Sequence, residues 1–237
     1  MTIELLSSVG PMGELAVLIP ALECGATIGD VVSGARRHLA RVLVVSDGSH
    51  DDTAARARVA GAMVLVHERT CGKGAALLTG MQALADQGVR RVLSMDGDGQ
   101  HLVDEIPVLV QASDAAPGAL VIGARVVDAA AVTSARLFGN RFANRWVEIA
   151  SGRALADTQS GFRIYPLRET LALGVRARHF AFETEVLIRA ARAGLEIRSV
   201  PVHTYYPPPR QRLSHYRPVL DTVRIIFVVL GLIFRLW

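Results

Sequence analysis

Lysine is almost missing from this chain. Of its 26 basic residues 25 are arginine, and the one lysine, Lys73, stands between Gly72 and Gly74. Cysteine is nearly as scarce. Cys24 and Cys71 lie 47 residues apart with no CxxC spacing, so neither a disulfide framework nor a zinc motif is expected, and reduced, cytoplasmic surroundings are. Residues 1–10 hold no basic n-region and no apolar stretch of signal-peptide length, so export is not expected. The one long apolar run, 225–234, has ten residues, about half of the ~20 that a membrane-spanning helix needs. Net positive charge is also missing from the first 150 residues. Residues 1–150 carry 13 basic and 16 acidic groups, a net −3, whereas residues 151–237 carry 13 and 6, a net +7. That split excludes the even basic coat of a nucleic-acid-binding protein, and no nucleic-acid partner is expected.

What the chain does have is alternation. Short runs rich in Val, Leu and Ile, at Leu15 to Ile19, Val42 to Val45, Met63 to Val66, Val92 to Met95 and Leu120 to Ile122, are separated by stretches that read as helices near Thr27 to Leu39, Asp51 to Ala60, Ala75 to Asp86 and Asp104 to Ala112. This is the pattern of βαβ units, and continuous apolar runs are what strands buried on both faces look like. The fold class expected is α/β, a mainly parallel Rossmann-like sheet flanked by helices. After Arg125 the rhythm changes to a helix around Arg136 to Ala150, a polar loop from Asp157 to Arg163, a helix near Glu183 to Ala193 and a strand near Ile197 to Val202. The run Pro207-Pro208-Pro209 then divides a folded unit, 1–206, from an Arg-rich linker and C-terminal amphipathic helix, 207–237. From Val219 to Trp237 that helix suits either the membrane interface or packing against the domain or a second subunit, so a homo-oligomer stays open.

In open α/β sheets ligands bind at the carboxyl ends of the strands, and acidic groups and glycines gather there in this sequence. Asp96 and Asp98 follow an apolar strand at a spacing of two, so in extended backbone both carboxylates point the same way. Such a pair is a hard oxygen site for Mg²⁺ or Mn²⁺, with Gln100 or His101 completing or orienting the shell; an acidic Asp-Gly turn is the plainer alternative. Asp47, also at a strand end, is placed to accept hydrogen bonds from a base or ribose, while Ser49, Asp51 and Asp52 are explained as helix caps. Gly72-Lys73-Gly74 opens a helix, where backbone N–H groups and an ammonium suit an anion, although the Walker A pattern is absent. In a chain that otherwise uses arginine, a lysine kept here points to a slot too narrow for guanidinium. Glu185, Asp157 and Glu183 are candidates for a general base, against a reading in which Glu183 caps a helix and Glu185 faces solvent. Arg210, Arg212 and Ser214, with His215 and Arg217, suit lipid phosphates or a phosphorylated substrate, or else a solvated linker.

In order, Ile19-Pro20-Ala21, Val44 through Ser49, Gly72 through Ala76, Asp96 through His101, Gly123-Ala124-Arg125, Asp157 through Arg163 and Phe182 through Glu185 resemble a family 2 glycosyltransferase of the dolichyl-phosphate-mannose-synthase-like branch, with the GT-A fold. The resemblance spans about residues 15–203. It implies a nucleotide diphosphate sugar donor bound around Pro20, Asp47, Gly48, Lys73, Gln100 and Arg125, with Asp96 and Asp98 on the metal. It further implies Arg163 near phosphate, Glu185 near the acceptor, and an inverting transfer to a polyprenyl phosphate or another lipid-linked or hydroxyl acceptor at the cytoplasmic membrane face. Two positions depart from the family pattern: Leu22-Glu23-Cys24 replaces the usual Asn-Glu stretch, and Ser46-Asp47 replaces a paired Asp-Asp. Two other readings compete, a sugar nucleotidyltransferase, which would release pyrophosphate, and a non-catalytic nucleotide-binding, membrane-associated protein.

Overall fold

The computed structural model describes residues 14–126, 144–205 and 218–234. One seven-stranded sheet, in the order β3-β2-β1-β4-β6-β5-β7, runs through it. The strands are β1 (Leu15–Ala21), β2 (Val42–Asp47), β3 (Met63–His67), β4 (Arg91–Ser94), β5 (Leu120–Arg125), β6 (Arg163–Pro166) and β7 (Ile197–Val202). The helices are α1 (Ile28–Arg36), α2 (Thr53–Val59), α3 (Lys73–Asp86), α4 (Ile106–Asp114), α5 (144–151), α6 (Leu167–Ala172), α7 (Ala181–Arg192) and α8 (Pro218–Ile233).

β1 is buried along its whole length because successive side chains serve opposite layers. Ala16 and Leu18 join Leu43, Val45 and Val92 under α3, α7 and α8, while Val17 and Ile19 join Val42, Val44 and Leu93 under α1 and α4. The chain crosses from β1 to β2 and β3 on one side and then to β4 on the other, all parallel. The carboxyl ends of β1 and β4 therefore border the crevice where such sheets bind ligands.

Two elements depart from the sequence reading. Arg163, expected at the end of a polar loop, opens strand β6, which runs antiparallel to both β4 and β5. A short helix, α6, follows it at once. The helix expected around Arg136 to Ala150 is seen as α5 only from residue 144, and its earlier part lies outside the described residues, as do the Pro207 to Pro209 run, Arg210, Arg212 and Ser214.

α8 packs on α7 and buries Ile225, Val228, Val229 and Leu232 in the same apolar cluster as Leu18 and Val45. Arg192 of α7 ties it down, donating from Nη1 to the Leu232 carbonyl at 2.8 Å and from Nε to the Ala150 carbonyl at 2.8 Å. The opposite face is apolar too. Leu220, Val223, Ile226, Phe227 and Phe234 are exposed, Phe227 and Phe234 at 67%. No helix of the described residues is long and apolar enough to cross a membrane.

Candidate active site

The loops at the crevice are laced to each other across the sheet. Cys24 N–H donates to Thr53 Oγ1 at 2.8 Å, Gly25 N–H to Asp51 Oδ2 at 2.8 Å and His50 N–H to Glu23 Oε1 at 2.7 Å, so the turn after β1 hangs from the turn after β2. Thr27 Oγ1 donates to the Gly97 carbonyl at 2.6 Å and joins the turn after β4 to them. Asp51, expected as a helix cap, does accept Thr53 N–H at 3.0 Å, but it also performs this lacing.

Asp47 is buried at the end of β2 and its carboxylate turns inward. Its oxygens accept Cys71 N–H at 2.9 Å and Gly72 N–H at 2.7 Å, and Oδ1 lies 2.7 Å from His67 Nδ1. Neighbouring Gly48, at φ 71°, permits this: a Cβ there would stand 2.4 Å from Thr70 N. Pro20, also predicted to meet the donor, is buried inside β1 opposite Val45.

Gly72, at φ 102°, starts α3 and sends Lys73 into the crevice. Nζ lies 2.6 Å from Asp96 Oδ1 and 2.8 Å from Glu183 Oε1, with its side chain 14% exposed. Burial disfavours the ammonium, but the two carboxylates outweigh it and raise its pKa well above the ordinary lysine value. Gly161 closes over this trio: a Cβ there would lie 2.8 Å from Nζ, 2.8 Å from Glu183 Oε1 and 3.2 Å from Asp96 Oδ2.

Asp96 N–H donates to His101 Nδ1 at 3.0 Å, and the imidazole stacks on Phe162 with centroids 5.0 Å apart. Burial pushes the His101 pKa down to about 4, so the ring is neutral with Nδ1 unprotonated, as that hydrogen bond requires. Asp98 accepts Gln100 N–H at 3.0 Å and Gln100 Nε2 at 2.5 Å. Burial, and after it the charge of Asp96, push the Asp98 carboxyl up. Two adjacent carboxylates whose repulsion is only partly offset, with an amide beside them, are an all-oxygen donor set fitted to a hard divalent cation.

Residues 16–168 match a sequence model described as Glycosyl transferase family 2. The chain is a family 2 glycosyltransferase. It is 33% identical over 212 residues to glycosyltransferase AglJ of Haloferax volcanii, covering 87% of this chain and 68% of the relative. With polyprenol monophosphomannose synthase of Mycolicibacterium smegmatis it shares 32% over 174 residues, 68% of this chain and 65% of that one. Among solved structures, glucosyl-3-phosphoglycerate synthase from Mycobacterium tuberculosis, in complex with Mn²⁺, uridine-diphosphate and phosphoglyceric acid, superposes with a TM-score of 0.70 at 22% identity, over 92% of this chain and 78% of that one. The glycosyltransferase thus has the GT-A fold.

Within it, Asp96, Asp98, Gln100 and Lys73 come together at the crevice, and Glu183 joins them on the far side of Lys73. The other predicted side chains are differently engaged. Arg163 is wholly buried and donates to the Ser160, Thr158 and Glu183 carbonyls at 2.7, 2.8 and 2.8 Å, which takes its guanidinium out of reach of phosphate. Glu185 neither faces solvent nor enters the crevice. It accepts Ala177 N–H at 2.7 Å, Arg176 N–H at 3.1 Å and Arg189 Nε at 2.6 Å. Asp157 holds Arg125 in a fork, with Nε and Nη2 each at 2.7 Å and Arg125 N–H at 2.9 Å. Burial works against its charge, but that pairing keeps the Asp157 carboxyl below the ordinary aspartate value.

Proposed function

We propose that this glycosyltransferase is metal-dependent and moves a sugar, with inversion, from a nucleotide diphosphate sugar to the phosphate of a polyprenyl phosphate. One observation carries the choice of acceptor. Asp157, Glu183 and Glu185, the three candidate general bases, are each paired with a cation, Arg125, Lys73 and Arg189. Carboxylate oxygens already engaged by a guanidinium or ammonium are not placed to receive a proton from an incoming hydroxyl, so a hydroxyl acceptor would lack a partner for its proton. A phosphate oxygen is already anionic and needs none. It attacks the anomeric carbon, the new C–O bond forms as the bond to the nucleoside diphosphate breaks, and the diphosphate leaves with both electrons.

Asp96 and Asp98 would hold Mg²⁺ or Mn²⁺, which supplies positive charge to the departing diphosphate. Lys73 keeps Asp96 ionised and oriented, and Gln100 orients Asp98 through its N–H and Nε2. Polyprenol monophosphomannose synthase and undecaprenyl-phosphate mannosyltransferase are among the relatives, which supports a lipid-linked acceptor. α8 supports it as well. Its exposed face of Leu220, Val223, Phe227 and Phe234 suits the inner surface of the plasma membrane, and Asp221 and Arg224 in its first half lie close enough to act on the His179 imidazole, as Asp47 does.

A product assay tests this reading. UDP- and GDP-sugars are offered with undecaprenyl phosphate or with a neutral alcohol of similar length. Expected are nucleoside diphosphate release and a glycosyl phosphate lipid only with the phosphate acceptor, abolished by a chelator. Equal transfer to the alcohol, or pyrophosphate release, overturns it.

A further inference from the structure

A second cluster of ligand-bearing side chains stands at the ends of β2 and β3, on the other side of Gly72 from the paired aspartates. Asp47, His67 and Cys71 each bring one ligand atom, a carboxylate oxygen, an imidazole nitrogen and a sulfur, to within 4.8 Å of one another. Sequence spacing gave no hint of it, because the three residues come from two strand ends and a turn. We infer that these three side chains form a binding site for a thiophilic divalent cation of the Zn²⁺ class, separate from the Asp96–Asp98 pair.

The donor chemistry selects the ion. Sulfur, nitrogen and oxygen donors together favour Zn²⁺ or Co²⁺, whereas Mg²⁺ prefers an all-oxygen set such as Asp96 and Asp98. Three protein ligands leave a fourth position for water or another ligand. The site is also partly organised before any metal arrives. Asp47 is fixed by two backbone N–H groups, and its oxygens keep lone pairs for a third partner. His67 Nδ1 already faces Asp47 Oδ1 at 2.7 Å, while Nε2 lies 3.1 Å from Thr79 Oγ1. With Nδ1 on a metal, Nε2–H donates to Thr79, the outer partner that orients a ligating histidine.

Cys71 is half-buried and its thiol makes only a weak contact, 3.3 Å to the Arg69 carbonyl, so sulfur is accessible and not tied up by a strong partner. Cys24 is different. Burial pushes its thiol up to about 12, and its sulfur points to the Leu22 carbonyl at 3.3 Å. On binding, a metal–sulfur bond replaces S–H and the thiol proton leaves to water. His67 binds as the tautomer that carries its proton on Nε2, and because the thiol gives up a proton, affinity rises with pH. Occupancy clamps residues 67–72 onto Asp47, and this segment is the one that presents Lys73 to Asp96.

The experiment titrates Co²⁺ into the metal-stripped full chain in excess Mg²⁺. The expected result is a near-ultraviolet thiolate-to-cobalt absorption that saturates at one equivalent, vanishes in Cys71→Ser and persists in Cys24→Ser. Thr79→Ala should weaken binding by about 10- to 100-fold. In the unmutated chain, one equivalent of Zn²⁺ should block alkylation of Cys71, which keeps the test decisive even where a variant fails to fold. Absence of the band, its survival in Cys71→Ser, or unchanged alkylation with Zn²⁺ overturns the inference.

Discussion

At the ends of the parallel strands β1 and β4, half-buried charge is left partly uncompensated: Asp98 has its carboxyl pushed up by desolvation and by Asp96, and its described partners are Gln100 N–H and Nε2. Around the antiparallel strand β6 and helix α7, buried charge is satisfied from within. Arg163 reaches three backbone carbonyls, and Glu185 meets two backbone N–H groups and Arg189. Charged groups on the two sides thus do different work, and burial differs with them: the Asp96 side chain is 30% exposed, whereas Arg163 and Glu185 are wholly buried. Saturated charges hold the fold together, whereas a pair of neighbouring carboxylates only partly compensated at a strand end is a place where a ligand completes the structure. Substitutions on the two sides should separate accordingly, with activity lost and stability kept on one, and the reverse on the other.

The largest separation is expected at Asp98. Asp98→Asn removes one hard oxygen ligand and should lower kcat/KM by about 10³-fold, as losing a charge-stabilising group commonly does. The melting temperature should stay level or rise, because the repulsion between Asp98 and Asp96 goes with the charge. A fall in melting temperature comparable to that of the next variant would erase the distinction between the two regions. Arg163→Leu is that variant. It strands three buried carbonyls, at about 1–3 kcal/mol each, and should cost about 3 kcal/mol or more in a denaturant titration. A stable protein that has lost only donor binding would return Arg163 to the phosphate role expected from its motif.

That pair of variants also marks what sequence reading could and could not see. β1 and β2 announce themselves because a strand covered on both faces is apolar for most of its length, while the partly covered edge strand β3 and the strand β4 show through short runs of Val, Leu and Met. β6 does not, since Arg-Ile-Tyr-Pro opens with a charge, closes with a helix-starting proline and is four residues long. Its arginine looks like a ligand-binding group because sequence shows charge but not what surrounds it. The glycines and aspartates of the crevice were legible as a set. Their lacing was not, because Cys24 to Thr53 or Thr27 to Gly97 joins turns 29 and 70 residues apart. α8 was read as suited either to the membrane interface or to packing; it packs on α7, and its other face is apolar and exposed.

Lys73 tests the comparison from inside the crevice. In Lys73→Arg the charge survives but a bulkier planar guanidinium must fit where Gly161, Glu183 and Asp96 already close around Nζ. Turnover should fall by about 10- to 100-fold, with Asp96 displaced and little change in stability, since the ion pairs can re-form at longer range. Wild-type turnover in the variant would mean that only the charge matters and that the narrow slot has no consequence.

The smallest effect belongs to two glutamates that the sequence could not tell apart. Glu183 and Glu185 stand two residues apart on α7, and helix side chains at that spacing point in different directions, so where the helix begins decides which one meets Lys73. The helix starts at Ala181, and Glu183 is the one. Glu185→Gln keeps an oxygen for the Arg176 and Ala177 N–H groups and loses only the charge that faces Arg189. About 1.5–3 kcal/mol of stability should go, the usual range for a hydrogen bond to a charged group, and kcat should be unchanged. Glu183→Gln weakens one of the two carboxylates that hold Lys73 and should lower kcat several-fold at nearly constant stability. If Glu185→Gln instead lowers kcat while Glu183→Gln does not, the saturated carboxylate is the one that meets the acceptor, and the boundary drawn between the two regions of the sheet lies in the wrong place.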